Sequence, residues 1–325
     1  MNHDGSLDKA LELVDVAASA GADAVKFQSF RAGKLASAAA PKAEYQKRET
    51  GSGSQFEMLK ALELSEEMHH AILKRCALRD IEFMSTPFDV DSARFLASLG
   101  VKRLKLPSGE ITNKPYVEGC ADLGLPLIVS TGMADMDEVR EALAWIDARA
   151  GSADVTVLHC TSNYPADAQD ANLAAMRTIA RETGRPVGYS DHTMGIAVPT
   201  AAVAMGAVII EKHFTLDPNA PGPDHKASLT PEELVAMVSA IRTIESAIGD
   251  GIKAPKPSEI PVRDVARRSL ILARAVPAGR ALSPDDIAIL RPGTGIAPKH
   301  LAEVAGRRLK HDAAPGTVLT WEDLA

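Results

Sequence analysis

Between Leu7 and Ala18 the apolar side chains fall at Leu7, Ala10, Leu11, Val14, Ala17 and Ala18, the spacing of one helix face, and Gly21 then closes the run. Ala24 to Phe27 follows as a short buried strand. The same helix-then-strand alternation continues, with apolar runs at Ile81 to Met84, Arg103 to Leu106, Leu127 to Val129, Val155 to Leu158, Val187 to Tyr189 and Val208 to Ile210, each separated by a helix-patterned segment. The segment from Glu232 to Ile248 carries an apolar stripe at Leu234, Val238, Ile241, Ile244 and Ile248 and is expected to close the wall of this first domain. Strands alternating with helices over this length predict a parallel α/β architecture, and seven strands stand one short of a (β/α)8 barrel.

The polar positions favour the barrel over an open doubly wound sheet, because nearly every strand runs into chemistry. Lys26 and Gln28 follow the first strand, Ser85 and Thr86 the second, and Lys105, Ser108 and Glu110 the third. Ser130 and Thr131, His159 and Thr161, Ser190 with Asp191 and His192, and Lys212 with His213 follow the next four. A barrel gathers all strand C-termini onto one face, whereas an open sheet gathers only those near its switch point. On this reading Asn2 to Gly5 is the loop after a further strand, and a segment of about ten residues is expected ahead of Met1.

The pattern changes after the last helix. Residues 251–266, with Pro255, Pro257 and Pro261, read as a linker between a barrel over 1–250 and a small β-rich domain over 267–325. In the small domain, runs at Ser269 to Ala273, Ile287 to Leu290 and Thr317 to Thr320 are punctuated by proline and glycine.

Composition narrows the function. The 325 residues are 46% apolar and 24% charged with a net charge of −7, an ordinary globular balance. No block of consecutive lysines or arginines marks a nucleic-acid or membrane surface, and no apolar run is long enough to span a bilayer, so a soluble cytoplasmic protein is expected. Cys76, Cys120 and Cys160 lack CxxC spacing and read as reduced thiols.

Two lysines, Lys26 and Lys105, sit in apolar strand contexts, where an ammonium is costly to bury unless an anion meets it. Ser108, Ser130, Thr131 and Ser190 lie at neighbouring strand ends, and the turns PSGE, STGM and GYSDH offer backbone N–H groups, so the group outlines a phosphate and carboxylate cradle. Singly, each is as readily a salt bridge or a turn former. His192 and His213 follow consecutive strands and can share one divalent ion with open positions left for substrate oxygens; the alternative is a hydrogen-bonded pair of core histidines. His159 reads as a ligand, a substrate contact or a ring bonded to backbone, and is left outside the metal set. Glu110 is a candidate general acid or base, or else neutralises Lys105. Asp224, in the loop GPDHKAS, is a substrate-hydroxyl contact or a solvated acid.

The segments VKFQSF, STPFD, KLPSGEITNKPY, STGMA, LHCTSNYPA, GYSDHT, IIEKHFTLD, GPDHKASL and RPGTGI, in this order across the chain, strongly resemble the sialic acid synthase family, and residues 267–325 resemble its C-terminal antifreeze-like (SAF) domain. The resemblance implies a (β/α)8 TIM barrel joined to the SAF domain in a domain-swapped homodimer. It implies that Lys26, Thr86, Lys105, Ser108, Ser130 and Ser190 hold phosphoenolpyruvate, and that His192 and His213 hold Mn2+, or Mg2+ or Co2+ in its place. It further implies that Glu110, Tyr164 and Asp224 meet the sugar, with Arg291 reaching its N-acyl group from the partner subunit. Members of the family begin with a strand ending in Ala-Glu-Ile-Gly before the Asn-His pair kept here as Asn2 and His3. The reaction expected from the motifs is condensation of phosphoenolpyruvate with N-acetylmannosamine and water to N-acetylneuraminate and phosphate. The alternatives are an N,N'-diacetyllegionaminate or pseudaminate synthase taking a diacetylated 6-deoxy sugar, a Schiff-base aldolase using Lys26 or Lys105, a synthase of a 3-deoxy-ulosonic acid, and a non-catalytic carbohydrate-binding module.

Overall fold

A computed structural model describes all residues except 44, 45, 48, 49, 152 and 153. The chain divides into two compact units, Met1–Gly249 and Asp250–Ala325.

The first unit is a curled parallel sheet wrapped by helices. Its strands are β1 (Ala24–Ser29), β2 (Glu82–Pro87), β3 (Leu104–Leu106), β4 (Leu127–Ser130), β5 (Val155–Cys160), β6 (Val187–Asp191) and β7 (Ile210–Lys212). Parallel pairing joins β1 to β2 and runs unbroken from β3 to β7. Strands β2 and β3 pack side by side, tied at their N-terminal ends by Arg103 Nε donating to Glu82 Oε1 at 2.9 Å. The helices are α1 (Leu7–Ser19), α2 (Glu66–Leu78), α3 (Val90–Ser98), α4 (Lys114–Ala121), α5 (Met136–Ala150), α6 (Ala175–Thr183), α7 (Ala197–Ala204) and α8 (Pro231–Ile248). Their starts are written in the sequence. Ser6, Ser65, Asp89 and Asn113 each accept a backbone N–H, and Asp135 with Glu138 and Thr230 with Glu233 form reciprocal caps.

The two-residue period of the strands separates two cores. Outward residues such as Val25, Phe27, Leu104, Leu106, Val155 and Val157 pack with Val14, Ile72, Leu96 and Ile146 of the helices. Inward, Met84, Ile128 and Leu158 form a smaller apolar layer with Ala24 and Ile209. Two residues further along, the inward positions turn polar, and this change of layer places the chemistry at the C-terminal end of the barrel.

Among the described residues no pairing joins β7 to β1, and a seam lies between them. The seam opens into a cavity of about 420 Å³ lined by both strands together with Leu13, Ala17, Leu234, Met237 and Ile241 of α1 and α8. Met1 to Gly5 form a turn at the seam's C-terminal end, where Asn2 Nδ2 donates to Phe214 O and Ser228 Oγ, both at 2.8 Å.

Strand β7 corrects the sequence reading. It lies two residues later than Val208 to Ile210, at Ile210–Lys212, and Val208 is 61% exposed. The apolar run was taken as the strand, whereas the charged pair after it is held in place by partners on β1, β3 and β6. No helix of the described residues is long and apolar enough to cross a membrane.

The second unit pairs β8 (Ser269–Leu272) antiparallel with β9 (Ile287–Leu290) around Leu270, Leu272, Leu282, Ile296 and Leu319. Val318 makes only an isolated bridge to Ile271, so the expected strand at Thr317 to Thr320 is a single point of pairing. Where a linker was expected, Ile260–Ala266 is a helix. Buried Asp286 ties the unit together, accepting from Arg274, Arg280 and Ser283.

Gly188 marks a close approach of β6 to the residue that leads into β7. A Cβ there would stand 2.5 Å from Ile209 O and 2.6 Å from Leu158 Cδ2, so a methyl group would force the strands apart. Gly188→Ala is expected to lower folding stability by about 1–3 kcal/mol in a denaturant titration, the cost of overpacking a close contact; a stability gain would show that the strands can yield.

Candidate active site

The site is built from inward residues one layer above the apolar plug. Lys105 on β3 is buried, and its Nζ donates to Ser130 Oγ on β4 at 2.6 Å. Lys26 on β1 donates to Thr86 Oγ1 on β2 at 3.3 Å. Between the two ammonium groups stands Glu211 of β7, 3.8 Å from Lys26 and 3.6 Å from Lys105, and it accepts from Ser190 Oγ at 3.2 Å. Burial alone would raise the Glu211 carboxyl, but Lys105 and then Lys26 outweigh it and hold the group down at about 2. Burial lowers Lys105, and Glu211 works against that shift. The cluster is therefore two cations around one carboxylate, with a net positive charge at the barrel mouth.

Ser108 lies in the turn after β3, with its Oγ 3.2 Å from Ser162 Oγ. Gly132, after β4, faces this pair. A Cβ on it would meet Ser162 Oγ, Cys160 Sγ and Ser108 Oγ at 2.3, 2.7 and 3.3 Å, so the absent side chain leaves a nook framed by polar atoms beside Lys105 and Ser130. Such a nook suits an anionic oxygen.

The two histidines follow β6 and β7 with ring centroids 5.4 Å apart. His192 Nδ1 lies 2.6 Å from Thr161 O; the bond places the proton on Nδ1 and leaves Nε2 with its lone pair. His213 Nδ1 is 3.9 Å from Asp224 Oδ2. Burial depresses both imidazoles, that of His213 to about 3 even though Asp224 pulls the other way, so both are neutral at pH 7. Among the described residues no group of three or more metal-ligating side chains occurs. Two neutral rings this close, flanked by one carboxylate, fit an open catalytic ion better than a closed structural one. Tyr164 completes this side, its ring centroid 4.1 Å from that of His192 and 5.9 Å from that of His213.

Asp224 is buried, not solvated. Its loop is pinned by His225, which bonds Thr215 Oγ1 at 2.6 Å and Asp4 Oδ1 at 2.9 Å. His159 resolves to the backbone alternative, with its Nε2 on Ala171 O at 2.8 Å.

The structure thus gathers Lys26, Thr86, Lys105, Ser130 and Ser190 around Glu211, with Ser108 in the nook beside them. Tyr164, Asp224 and the histidines form the adjoining side. Glu110 is not brought to Lys105: its Oε2 accepts from Asn113 Nδ2 at 2.7 Å, and the neutralising role falls to Glu211. Arg291 belongs to the second unit, exposed just beyond β9. Sequence reasoning missed Glu211 and Ser162. The signal for Glu211 was its phase, two residues before His213 and so on the same face of the strand.

Residues 13–253 match the NeuB family and residues 267–325 the SAF domain. The chain belongs to the NeuB family, the family of sialic acid synthases. It is a phosphoenolpyruvate-dependent transferase that forms a carbon–carbon bond. An N,N'-diacetyllegionaminic acid synthase of Legionella pneumophila is 53% identical over 328 residues, covering 100% of this chain and 92% of that one. An enzyme of the same name from Campylobacter jejuni is 44% identical over 309 residues, covering 94% and 92%. Among solved structures, the N-acetylneuraminic acid synthetase of Leptospira borgpetersenii is 35% identical with a TM-score of 0.71, covering 80% of this chain and 86% of that one.

The depressed groups set an acid limb for this synthase. His213 titrates near 6.5 in an unfolded chain and at about 3 here, and Glu211 near 4.5 and at about 2, so on acidification the unfolded state takes up each proton first. Stability is full above these unfolded values and is lost from about pH 6.5 down to 3 for His213, and from about 4.5 down to 2 for Glu211. The melting temperature of metal-free protein should fall through this range, and His213→Gln should flatten the limb between pH 6.5 and 4.5; parallel profiles would mean that His213 is not held neutral.

Proposed function

We propose that this synthase condenses phosphoenolpyruvate with an N,N'-diacetylated 6-deoxy amino sugar and water, giving N,N'-diacetyllegionaminate and phosphate. The observation that carries the reading is the 53% identity, over the whole chain, to a protein of that named activity, together with a site that holds both an anion cradle and a sugar-facing side. It displaces N-acetylmannosamine as first choice, since the similarity to the N-acetylneuraminic acid synthetase is 35%.

Lys105 with Ser130, Lys26 with Thr86, and the Ser108–Ser162 nook bind the phosphate and carboxylate of phosphoenolpyruvate. Carbon 3 of phosphoenolpyruvate attacks the open-chain aldehyde carbon, whose oxygen takes a proton to become a hydroxyl. Water adds its oxygen to carbon 2 and gives up a proton, and cleavage of the C2–O bond releases phosphate. Glu211, held ionised at about 2 between the two lysines, is too weak a base for that proton and serves to hold the charge of the cradle; the proton is taken by Glu110, the residue expected to do this work. His192 and His213 would hold a divalent ion, Mn2+ or Mg2+ or Co2+ in its place, and that ion would supply Lewis-acid polarisation of the aldehyde oxygen. Both rings are delivered neutral, and the His192 bond to Thr161 fixes which nitrogen is offered. Tyr164 and Asp224 orient the sugar, and Arg291 reaches its N-acyl group from a second subunit in a domain-swapped dimer.

In a phosphate-release assay the diacetylated sugar is expected to exceed N-acetylmannosamine and its 6-phosphate in kcat/KM by about tenfold or more, the scale set by one or two substrate contacts. Preference for N-acetylmannosamine would restore the N-acetylneuraminate reading. Lys105→Ala should raise the KM for phosphoenolpyruvate, whereas His213→Ala should abolish turnover; full activity after exhaustive chelation would refute the metal role.

A further inference from the structure

Behind the two histidines, on the opposite face of the same two strands, lies an ion pair that the reaction leaves unused. Lys212 Nζ donates to Asp191 Oδ2 at 2.5 Å and also to the backbone carbonyl of Thr193. The side chains are 1% and 0% exposed, and their Cα atoms are register partners between β6 and β7. The other carboxylate oxygen, Asp191 Oδ1, accepts from Thr193 N at 3.0 Å and Thr193 Oγ1 at 2.9 Å. Asp191 therefore clamps the turn that carries His192, while Lys212 grips both the clamp and the turn's own backbone from the residue next to His213. The turn is held at a second point by Ala166 N, which donates to His192 O at 2.9 Å.

We infer that the Asp191–Lys212 pair is the positioning device that sets the approach of His192 to His213, so that loss of the tie separates the two rings without touching either. The inference rests on the proposed use of these histidines as the ligands of one ion. A buried pair is poor at raising net stability, because desolvation offsets the attraction, but it is directional and fixes register. Here it joins the residues that immediately precede the two rings. Groups that orient metal ligands from behind commonly change affinity tenfold to a hundredfold when they are lost.

The deciding variant is the double substitution Asp191→Asn with Lys212→Met. It leaves no unpaired charge in the interior, keeps the acceptor for Thr193 and removes only the tie between the strands. Mn2+ binding, followed by the electron paramagnetic resonance of the free ion, is expected to weaken tenfold or more in the folded double variant, with the phosphoenolpyruvate KM within twofold of wild type. The imidazole signals of His192 and His213 in the metal-free protein are expected to shift, a change that a loss of bulk stability alone does not produce. A folded double variant with wild-type Mn2+ affinity and unmoved imidazole signals overturns the inference. Should the wild type bind no Mn2+, the metal reading fails, and the imidazole signals alone decide whether the tie positions the rings. Lys212→Met alone, which leaves Asp191 buried and uncompensated, should reproduce the affinity loss at a lower melting temperature. Equal affinity in Lys212→Met and wild type would also count against the tie.

Discussion

The barrel mouth depends on one carboxylate held between two ammonium groups. Glu211 is 3.6 Å from Lys105 and 3.8 Å from Lys26, and these three side chains come from β7, β3 and β1, across the interior. At such distances each attraction is on the order of 4 kcal/mol at an effective dielectric of 20, while desolvation costs several kcal/mol per ion, so the cluster gives little net stability. What it does is set a carboxylate against the burial that disfavours the Lys105 ammonium. In the proposed reaction the surplus positive charge is left for phosphoenolpyruvate, whose phosphate or carboxylate meets donors already oriented by Ser130 and Thr86 and already out of bulk water. Removing Glu211 would leave two like charges facing each other, which is why an acid belongs in a site built for anions.

The alternation of a strand lets consecutive residues serve opposite purposes. On β6, Ser190 faces the cradle and Asp191 the wall; on β7, Glu211 faces the cradle, Lys212 the wall, and His213 the mouth. Site and support are thus encoded side by side, and the support needs no contact with substrate. The apolar layer of Met84, Ile128 and Leu158 beneath them closes the barrel and puts a low-dielectric floor under the charges, which strengthens every interaction above it.

Most of this was legible in the chain. The three-to-four spacing of α1 and α8, the capping residues and the short apolar runs gave the elements, and the polar residues at strand ends gave the cradle and both histidines. All seven strands expected from the sequence are present, six of them where their apolar runs fall. What escaped has one cause. An apolar run is the visible mark of a strand, so β7 was read at Val208 to Ile210, and Glu211 fell outside it. In the folded chain the charged end is the strand, stabilised by Lys26, Lys105 and Asp191, partners 21 to 185 residues away that no local pattern reveals. Of the two readings of Glu110, the one that paired it with Lys105 is not what the fold builds: its carboxylate accepts from Asn113, three residues on, and Glu211 pairs with Lys105 instead.

The two sides of the site are built from different parts of the fold, and this bears on specificity. The anion side is made of strand residues whose positions are fixed by the sheet register and by the apolar layer below. The side proposed for the sugar is made of Tyr164 and Asp224, which stand on loops, and the loop of Asp224 is held by His225 through Thr215 and Asp4 instead of by the sheet. Loops tolerate change where strands in a closed interior do not. A family sharing one reaction on phosphoenolpyruvate can therefore keep the first side and vary the second. In the role proposed for Asp224 a loop residue can discriminate between sugars only if its own position is fixed, and buried His225 supplies that fixity through Thr215 and Asp4.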